Sequence, residues 1–142
     1  MGKKAGIGEE DLQSAAQREA QARMLQSEER GAFENEDIYF AYDSAALTPE
    51  AQALLRKKAD FLKQNPGAKI TVEGHCDERG TNEYNLALGE ARAQSAKNYL
   101  VDLGISPELL TTISFGEERP LDPRATEDAW SKNRRAHFVV VQ

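Results

Sequence analysis

Apolar positions along this chain repeat with two different periods, and the changes of period mark its elements. Ala51, Leu54, Leu55, Phe61 and Leu62, with Lys58 among them, recur at three- and four-residue spacing, which predicts a helix with one buried stripe. Thr48 followed by Pro49 supplies an N-cap and a first helical residue, and Asn65-Pro66-Gly67 stops the helix near Gln64. Lys69-Ile70-Thr71-Val72-Glu73 alternates with period two and predicts a strand ended by Gly74. A second helix is expected over residues 83–103, with Leu88, Ala96, Tyr99, Leu100 and Leu103 turned inward and Gly104 at a left-handed cap. Residues 38–40, 111–116 and 135–141 read as further strands, Ser106-Pro107-Glu108 as a short helical turn and residues 127–132 as a short helix.

The order strand, helix, strand, helix, strand, short helix, strand predicts an α/β fold: a two-layer sandwich with a four-stranded mixed sheet and two main helices on one face. Residues 1–8 read as a small, basic, glycine-rich tail. Residues 9–31 are rich in the helix formers Ala, Gln, Glu and Arg, but their apolar positions (Leu12, Ala15, Ala16, Met24, Leu25) are too sparse for a core helix. Residues 1–34 are therefore expected to be a flexible or partly helical tether, and residues 35–142 the compact domain. A coiled coil is the alternative for the tether, although heptads do not persist.

Composition narrows the function classes. The chain has 142 residues, the size of one ordinary domain with a tail, and 39% hydrophobic residues, enough for a core. Its net charge of -6 argues against nucleic acid, whose recognition needs a basic footprint, and against an anionic lipid surface. Cys76 is the single cysteine, so no intramolecular disulfide forms. No run approaches the roughly 18 consecutive apolar residues of a membrane span.

The densest chemistry is Gly74-His75-Cys76-Asp77-Glu78-Arg79-Gly80-Thr81, between a strand end and a helix start, where ligand-binding groups are commonly presented. Gly74 and Gly80 permit backbone angles or close approaches that other residues resist. The helix that follows places Asn85, Leu88 and Arg92 near one face. Asp77 and Arg92 admit two readings. They form a structural ion pair, or they are the two ends of a site in which the carboxylate takes an ammonium and the guanidinium a carboxylate. In the second case, removing either side chain should leave the fold intact, because exposed pairs stabilise by only about 0–1 kcal/mol.

Catalysis fits poorly. His75 and Cys76 are adjacent in an extended segment and point to opposite faces, which does not make a nucleophile–base pair, so Cys76 reads as a buried small thiol. Four consecutive residues, His75 to Glu78, do not converge on a zinc tetrahedron. Asp43 reads either as a turn group or as part of the same rim. Asn133-Arg134-Arg135 reads either as a solvated group or as a brace for the loops, and Trp130 as an anchor for the short helix.

The same residues carry a resemblance. Tyr39-Phe40-Ala41-Tyr42-Asp43-Ser44, the run from Thr71 to Thr81, Glu83-Tyr84-Asn85-Leu86-Ala87-Leu88-Gly89-Glu90-Ala91-Arg92-Ala93, Ser114-Phe115-Gly116-Glu117-Glu118-Arg119-Pro120 and Ser131-Lys132-Asn133-Arg134-Arg135-Ala136 are similar, in order, to the motifs of the OmpA-like peptidoglycan-binding domain family. The likeness extends from about residue 36 to the end, and the run Gly74 to Thr81 most resembles the family's lipid-anchored branch, the peptidoglycan-associated lipoproteins. It implies non-covalent binding of the peptidoglycan peptide stem through its diaminopimelate, with no cofactor, no metal and no bond broken. The family's loop aspartate falls on Asp77 and its helix arginine on Arg92, which would hold the amino-acid end of diaminopimelate. Asp43, Phe40, Thr81, Asn85 and Leu88 fall on positions lining the same pocket, and Gly74, Gly80, Asn133, Arg134 and Arg135 take bracing or rim roles.

The resemblance further implies an outer-membrane protein facing the periplasm and working in a Tol–Pal-type envelope system with a TolB-like periplasmic partner. Its lipid anchor is expected on a cysteine upstream of Met1, since none precedes Cys76. Two other functions compete: a periplasmic protein-interaction domain with wall binding secondary, and a wall hydrolase, which would release products from purified sacculi.

Overall fold

The computed structural model describes residues 9–141, with side chains from Ser14 onward. The tail expected at residues 1–8 lies outside the described residues. The chain divides into two compact units, the second beginning at Phe33. A helix α1 runs Glu9–Asn35. In the first unit its described side chains are mostly exposed, Met24 and Leu25 among them. The helix continues past Gly31, the last residue of the helix-forming stretch read from the sequence.

In the second unit, a sheet of four strands in the order β1-β4-β2-β3 is formed by β1 (Ile38–Tyr39), β2 (Lys69–His75), β3 (Leu110–Gly116) and β4 (Arg135–Val141). β4 runs antiparallel to both β1 and β2, and β2 runs parallel to β3. The parallel pair needs a crossover, which α3 (Asn82–Asp102) supplies. α2 (Pro49–Gln64) joins β1 to β2, a single 3-10 turn (Pro107–Leu109) leads into β3, and α4 (Glu127–Asn133) leads into β4. The predicted mixed sheet with two main helices is the fold observed.

Period-two burial tells which sheet face is covered. Ile70 and Val72 of β2, Phe138 of β4 and Leu110 of β3 are buried with Leu55, Ala59 and Leu62 of α2 and Ala93, Ala96 and Leu100 of α3. The alternate residues Thr71, Glu73, His137 and Val139 are half-buried. Phe33, from the last turn of α1, belongs to this core: its ring stacks on Phe61 with centroids 4.8 Å apart and meets Phe138 edge-on at 6.0 Å. Lys58 is buried as well, its Nζ donating to the carbonyl of Phe33 and lying over both Phe33 and Phe138. Burial is the main reason its pKa falls to about 8.

Helix α2 begins and ends where its punctuation says. The Thr48 hydroxyl accepts from the amide of Ala51 at 3.0 Å, Pro49 opens the helix, and the amide of Asn65 closes it on Leu62. Strand β2 departs from expectation, because Gly74 does not end it. Gly74 pairs with Ala136 and Ser114, and His75 is the last strand residue. Gly74 is glycine because α3 crosses there: a β-carbon would lie 1.7 Å from the carbonyl oxygen of Gly89. This brings α3 down onto the C-terminal end of β2, and its Asn85 and Arg92 with it. Gly74 is accordingly a buried contact between helix and sheet: of the bracing and rim roles it takes the first.

Candidate functional site

A cleft of about 250 Å³ opens where the loop after β1, the loop after β2 and the start of α3 meet, lined by Tyr42, Asp43, Cys76, Asp77, Arg79, Gly80, Tyr84, Asn85, Leu88 and Arg92. Five of the seven ligand-binding candidates stand in this lining: Asp77, Arg92, Asp43, Asn85 and Leu88. Thr81 and Phe40 are not in the lining. The Thr81 hydroxyl caps α3 by accepting from the amide of Tyr84 at 3.1 Å. Phe40 is buried in the core, with the Arg92 guanidinium 5.3 Å from its ring centre.

Asp77 is 3% exposed and its carboxylate is already partnered. Oδ1 accepts from the Arg79 amide at 3.0 Å and from Arg79 Nε at 3.1 Å, and Oδ2 accepts from Arg79 Nη2 at 2.9 Å. Arg134 Nη1 lies 3.7 Å from Oδ2. Burial opposes ionisation of Asp77, but the hydrogen bonds from Arg79 and the charges of Arg79 and Arg134 outweigh it, and the carboxyl sits below its ordinary value. It is an anion throughout the neutral range.

Arg92 is 1% exposed. Its guanidinium donates to the carbonyls of Ser44 at 2.8 Å, His75 at 2.9 Å and Ala41 at 3.1 Å. Desolvation and the nearby Arg134 lower its pKa, against the pull of Cys76, Asp77 and Asp43, yet an arginine remains cationic. Among the described residues no ion pair joins Asp77 to Arg92, so the direct structural pair is not how they are held. Each is fixed independently in the wall of one cleft.

The loop from Asp77 to Gly80 is held by its neighbours. Asn85 Nδ2 reaches the carbonyl of Arg79 at 3.1 Å and Glu117 Oε1 at 2.7 Å, with the Asp77 carbonyl at 3.4 Å. Gly80 has φ +103°, a conformation that glycine adopts without penalty. Asp43 also sits at positive φ, 55°, and accepts from the Tyr84 hydroxyl, which ties the two sides of the cleft mouth together. Arg134 anchors the first loop by donating to the Phe40 carbonyl at 2.9 Å.

The three residues of the Asn-Arg-Arg motif do different things. Arg134 faces Asp77. Asn133 clamps another loop, its Oδ1 accepting from the amides of Leu121 and Asp122 and its Nδ2 donating to the Asp122 carbonyl. Arg135 Nε lies 3.3 Å from Asp37, and its Nη2 donates to the Arg119 carbonyl. Neither Asn133 nor Arg135 lines the cleft: Asn133 ends α4 and turns to the loop at Leu121 and Asp122, whereas Arg135 opens β4 and turns to Asp37.

His75 and Cys76 also diverge. His75 Nε2 meets Glu73 at 3.0 Å and its ring stacks near Phe115, while burial lowers its pKa. Cys76 is buried, donates to the Asn85 carbonyl at 3.2 Å, and has its thiol pushed up to about 11 by desolvation. It is protonated at neutral pH and is no nucleophile. Among the described residues no group of three or more His, Cys, Asp or Glu could hold a metal, and no helix is long and apolar enough to cross a membrane.

The sequence pattern passes over Arg79, Tyr42 and Tyr84. A signal for Arg79 exists: an aspartate whose side chain accepts from the amide two residues on forms an Asx turn, and an arginine there folds back onto the same carboxylate. Asp122 and Arg124 do the same elsewhere in the chain. Tyr42 and Trp130 then pack on the Arg79 guanidinium at 4.1 and 3.9 Å, so Trp130 anchors more than its own short helix.

A four-stranded mixed sheet backed by two helices, with an acid–base cleft at the end of β2, defines an OmpA-like domain, and the OmpA family pattern matches residues 39–134. The chain belongs to the OmpA family. Its relatives include the peptidoglycan-associated lipoproteins of Pseudomonas putida, 48% identical over 101 residues (71% of this chain and 60% of that one), and of Pseudomonas aeruginosa, 50% identical over 101 residues with the same shares. The peptidoglycan-associated lipoprotein of Burkholderia pseudomallei superposes with a TM-score of 0.73 at 39% identity, over 75% of this chain and 91% of that one. The C-terminal domain of Helicobacter pylori MotB shares the fold, with a TM-score of 0.71 at 21% identity over 75% and 84% of the two chains. The chain spans about three fifths of the length of the curated relatives it matches.

Proposed function

We propose that this chain binds the peptide stem of peptidoglycan without breaking it, and that the cleft at the end of β2 takes the amino-acid end of diaminopimelate. The observation that carries this is the independent anchoring of an anion, Asp77, and a cation, Arg92, in one cleft wall. A zwitterionic group needs both. Asp77 Oδ2 accepts one hydrogen bond, from Arg79, and Arg92 commits three of its five N–H donors to backbone carbonyls, so each keeps capacity toward a ligand. Leu88 and the tyrosine rings offer an apolar wall for the methylene chain between the two ends of diaminopimelate.

The relatives named as peptidoglycan-associated lipoproteins support a wider reading. In it a lipid anchor upstream holds the protein at the periplasmic side of the outer membrane, the segment before Phe33 forms the tether, and the compact unit from Phe33 grips the wall. The Tol–Pal-type system with a TolB-like partner belongs to the same reading. Calorimetric titration with a diaminopimelate-containing stem peptide tests it, with Asp77→Asn and Arg92→Lys as variants. Both substitutions are expected to weaken binding severely. Unchanged affinity in both would sink the site, and product release from sacculi would overturn the non-catalytic reading.

A further inference from the structure

Of the two lining arginines, Arg79 is the one that solvent reaches, its side chain being 31% exposed against 1% for Arg92. Its guanidinium spends Nε and one hydrogen of Nη2 on Asp77, and it lies over the rings of Tyr42 and Trp130. Trp130 is fixed in turn, its Nε1 donating to Glu78 at 2.8 Å. Four contacts thus hold a planar group still, which removes most of the side-chain entropy that an exposed arginine loses on binding. Nη1 and the second hydrogen of Nη2 are hydrogen-bonded to no described residue, and the side chain is 31% exposed. What is left is a rigid donor edge at the cleft mouth.

Arg79 and Arg92 are balanced in the lining by Asp77 and Asp43, and Arg134, behind Asp77, is paired with Glu127 at 3.2 Å. An amino-acid end brings one ammonium and one carboxylate, which engage Asp77 and Arg92. That leaves the outward edge of Arg79 for an anion, and a planar guanidinium edge suits a carboxylate.

We infer that Arg79 is a second anion seat of the cleft, taking a carboxylate of the peptide stem that lies outside its amino-acid end. This rests on the stem-binding reading and adds a selectivity to it: the chain distinguishes stems by the free or amidated state of that carboxylate. Two stem carboxylates have the required chemistry, the α-carboxylate left free by a γ-linked glutamyl residue and the C-terminal carboxylate.

The test is a calorimetric titration of three forms of one diaminopimelate-containing stem peptide: unmodified, amidated at the glutamyl α-carboxylate, and amidated at the C-terminus. Each is titrated into the unsubstituted chain, Arg79→Gln and Arg79→Ala. One amidation is expected to weaken binding to the unsubstituted chain about tenfold, the worth of a charge-assisted hydrogen bond net of water, and so to identify which carboxylate sits there. Both Arg79 variants are expected to bind all three forms within about twofold of one another. Because the readout is a ratio within each protein, general weakening through a disturbed Asp77 does not affect it, and two variants guard against one failing to fold. Equal binding of all forms by the unsubstituted chain overturns the inference, as does discrimination that survives in the Arg79 variants. Failure of the unsubstituted chain to bind any form would instead remove the stem-binding reading, and this inference with it.

Discussion

Arg92→Ala should unfold part of what it was expected merely to empty. The sequence pattern places Arg92 as a ligand group whose loss leaves the fold untouched, but the side chain is 1% exposed and joins three separate segments. It donates to Ser44 and Ala41 in the loop after β1 and to His75 at the end of β2. Hydrogen bonds to a charged group contribute about 1.5–3 kcal/mol each, so three give a gross value of about 5–9 kcal/mol. Most of this is recovered elsewhere. Removing the guanidinium also removes its own desolvation penalty, and the Ser44 and Ala41 backbones lie near the surface and regain water. His75 is buried, and its carbonyl cannot replace the lost donor with water, at a cost of about 1–3 kcal/mol. The Phe40 ring also loses the cation above it, a further ~1 kcal/mol. The net loss should be about 2–4 kcal/mol, a fall in melting temperature of about 8–16 °C for a domain of this size. Thermal and urea denaturation of Arg92→Ala beside the parent measure it. A loss below about 1 kcal/mol would refute the argument that Arg92 is a structural tie as well as a binding group.

Three further outcomes follow from contacts in the fold. Gly74→Ala should destabilise by about 3 kcal/mol in urea denaturation, because the new β-carbon meets the Gly89 backbone; a change under about 1 kcal/mol would refute the close crossing of α3. His137 is held by Asp37 with its pKa raised, chiefly by that hydrogen bond, so its contribution is complete below the unfolded value of about 6.5 and is lost as pH rises through the higher folded value. His75 is shifted downward by burial and acts on the other side of 6.5, so urea titrations across neutral pH should show His137→Gln, and not His75→Gln, removing the decline above that point. Cys76, buried with its thiol pushed up to about 11, should resist iodoacetamide in the native protein and react in denaturant; rapid native alkylation would contradict its placement.

Local chemistry was the legible part of this chain. Thr48, Pro49 and Asn65 bound α2 because caps and breakers act within a few residues. Gly74 misled because its reason is Gly89, fifteen positions on, and the same residue type ends one strand and admits a helix at another. Helix α1 also runs through Gly31 to Asn35, past the stretch of helix formers. A glycine costs a helix about 1 kcal/mol, and burying Phe33 against Phe61 and Phe138 more than offsets that. In the site, spacing brought Asn85, Leu88 and Arg92 to one helix face but left the partner of Asp77 open. The Asx turn that gives Asp77 to Arg79, and the three carbonyls that hold Arg92, converge only in the folded chain.

The central claim is that Asp77 and Arg92 hold opposite charges apart for a zwitterionic ligand. The measurement closest to it is calorimetric titration of the stem peptide against Asp77→Asn, which keeps the shape of the side chain and removes its charge. Binding should weaken by about tenfold or more, as expected for a lost charge-assisted contact, and a peptide whose diaminopimelate amino group is acetylated should bind the parent and the variant equally weakly. Parent-like affinity of Asp77→Asn, or an acetylated peptide that still distinguishes the two proteins, would contradict the account.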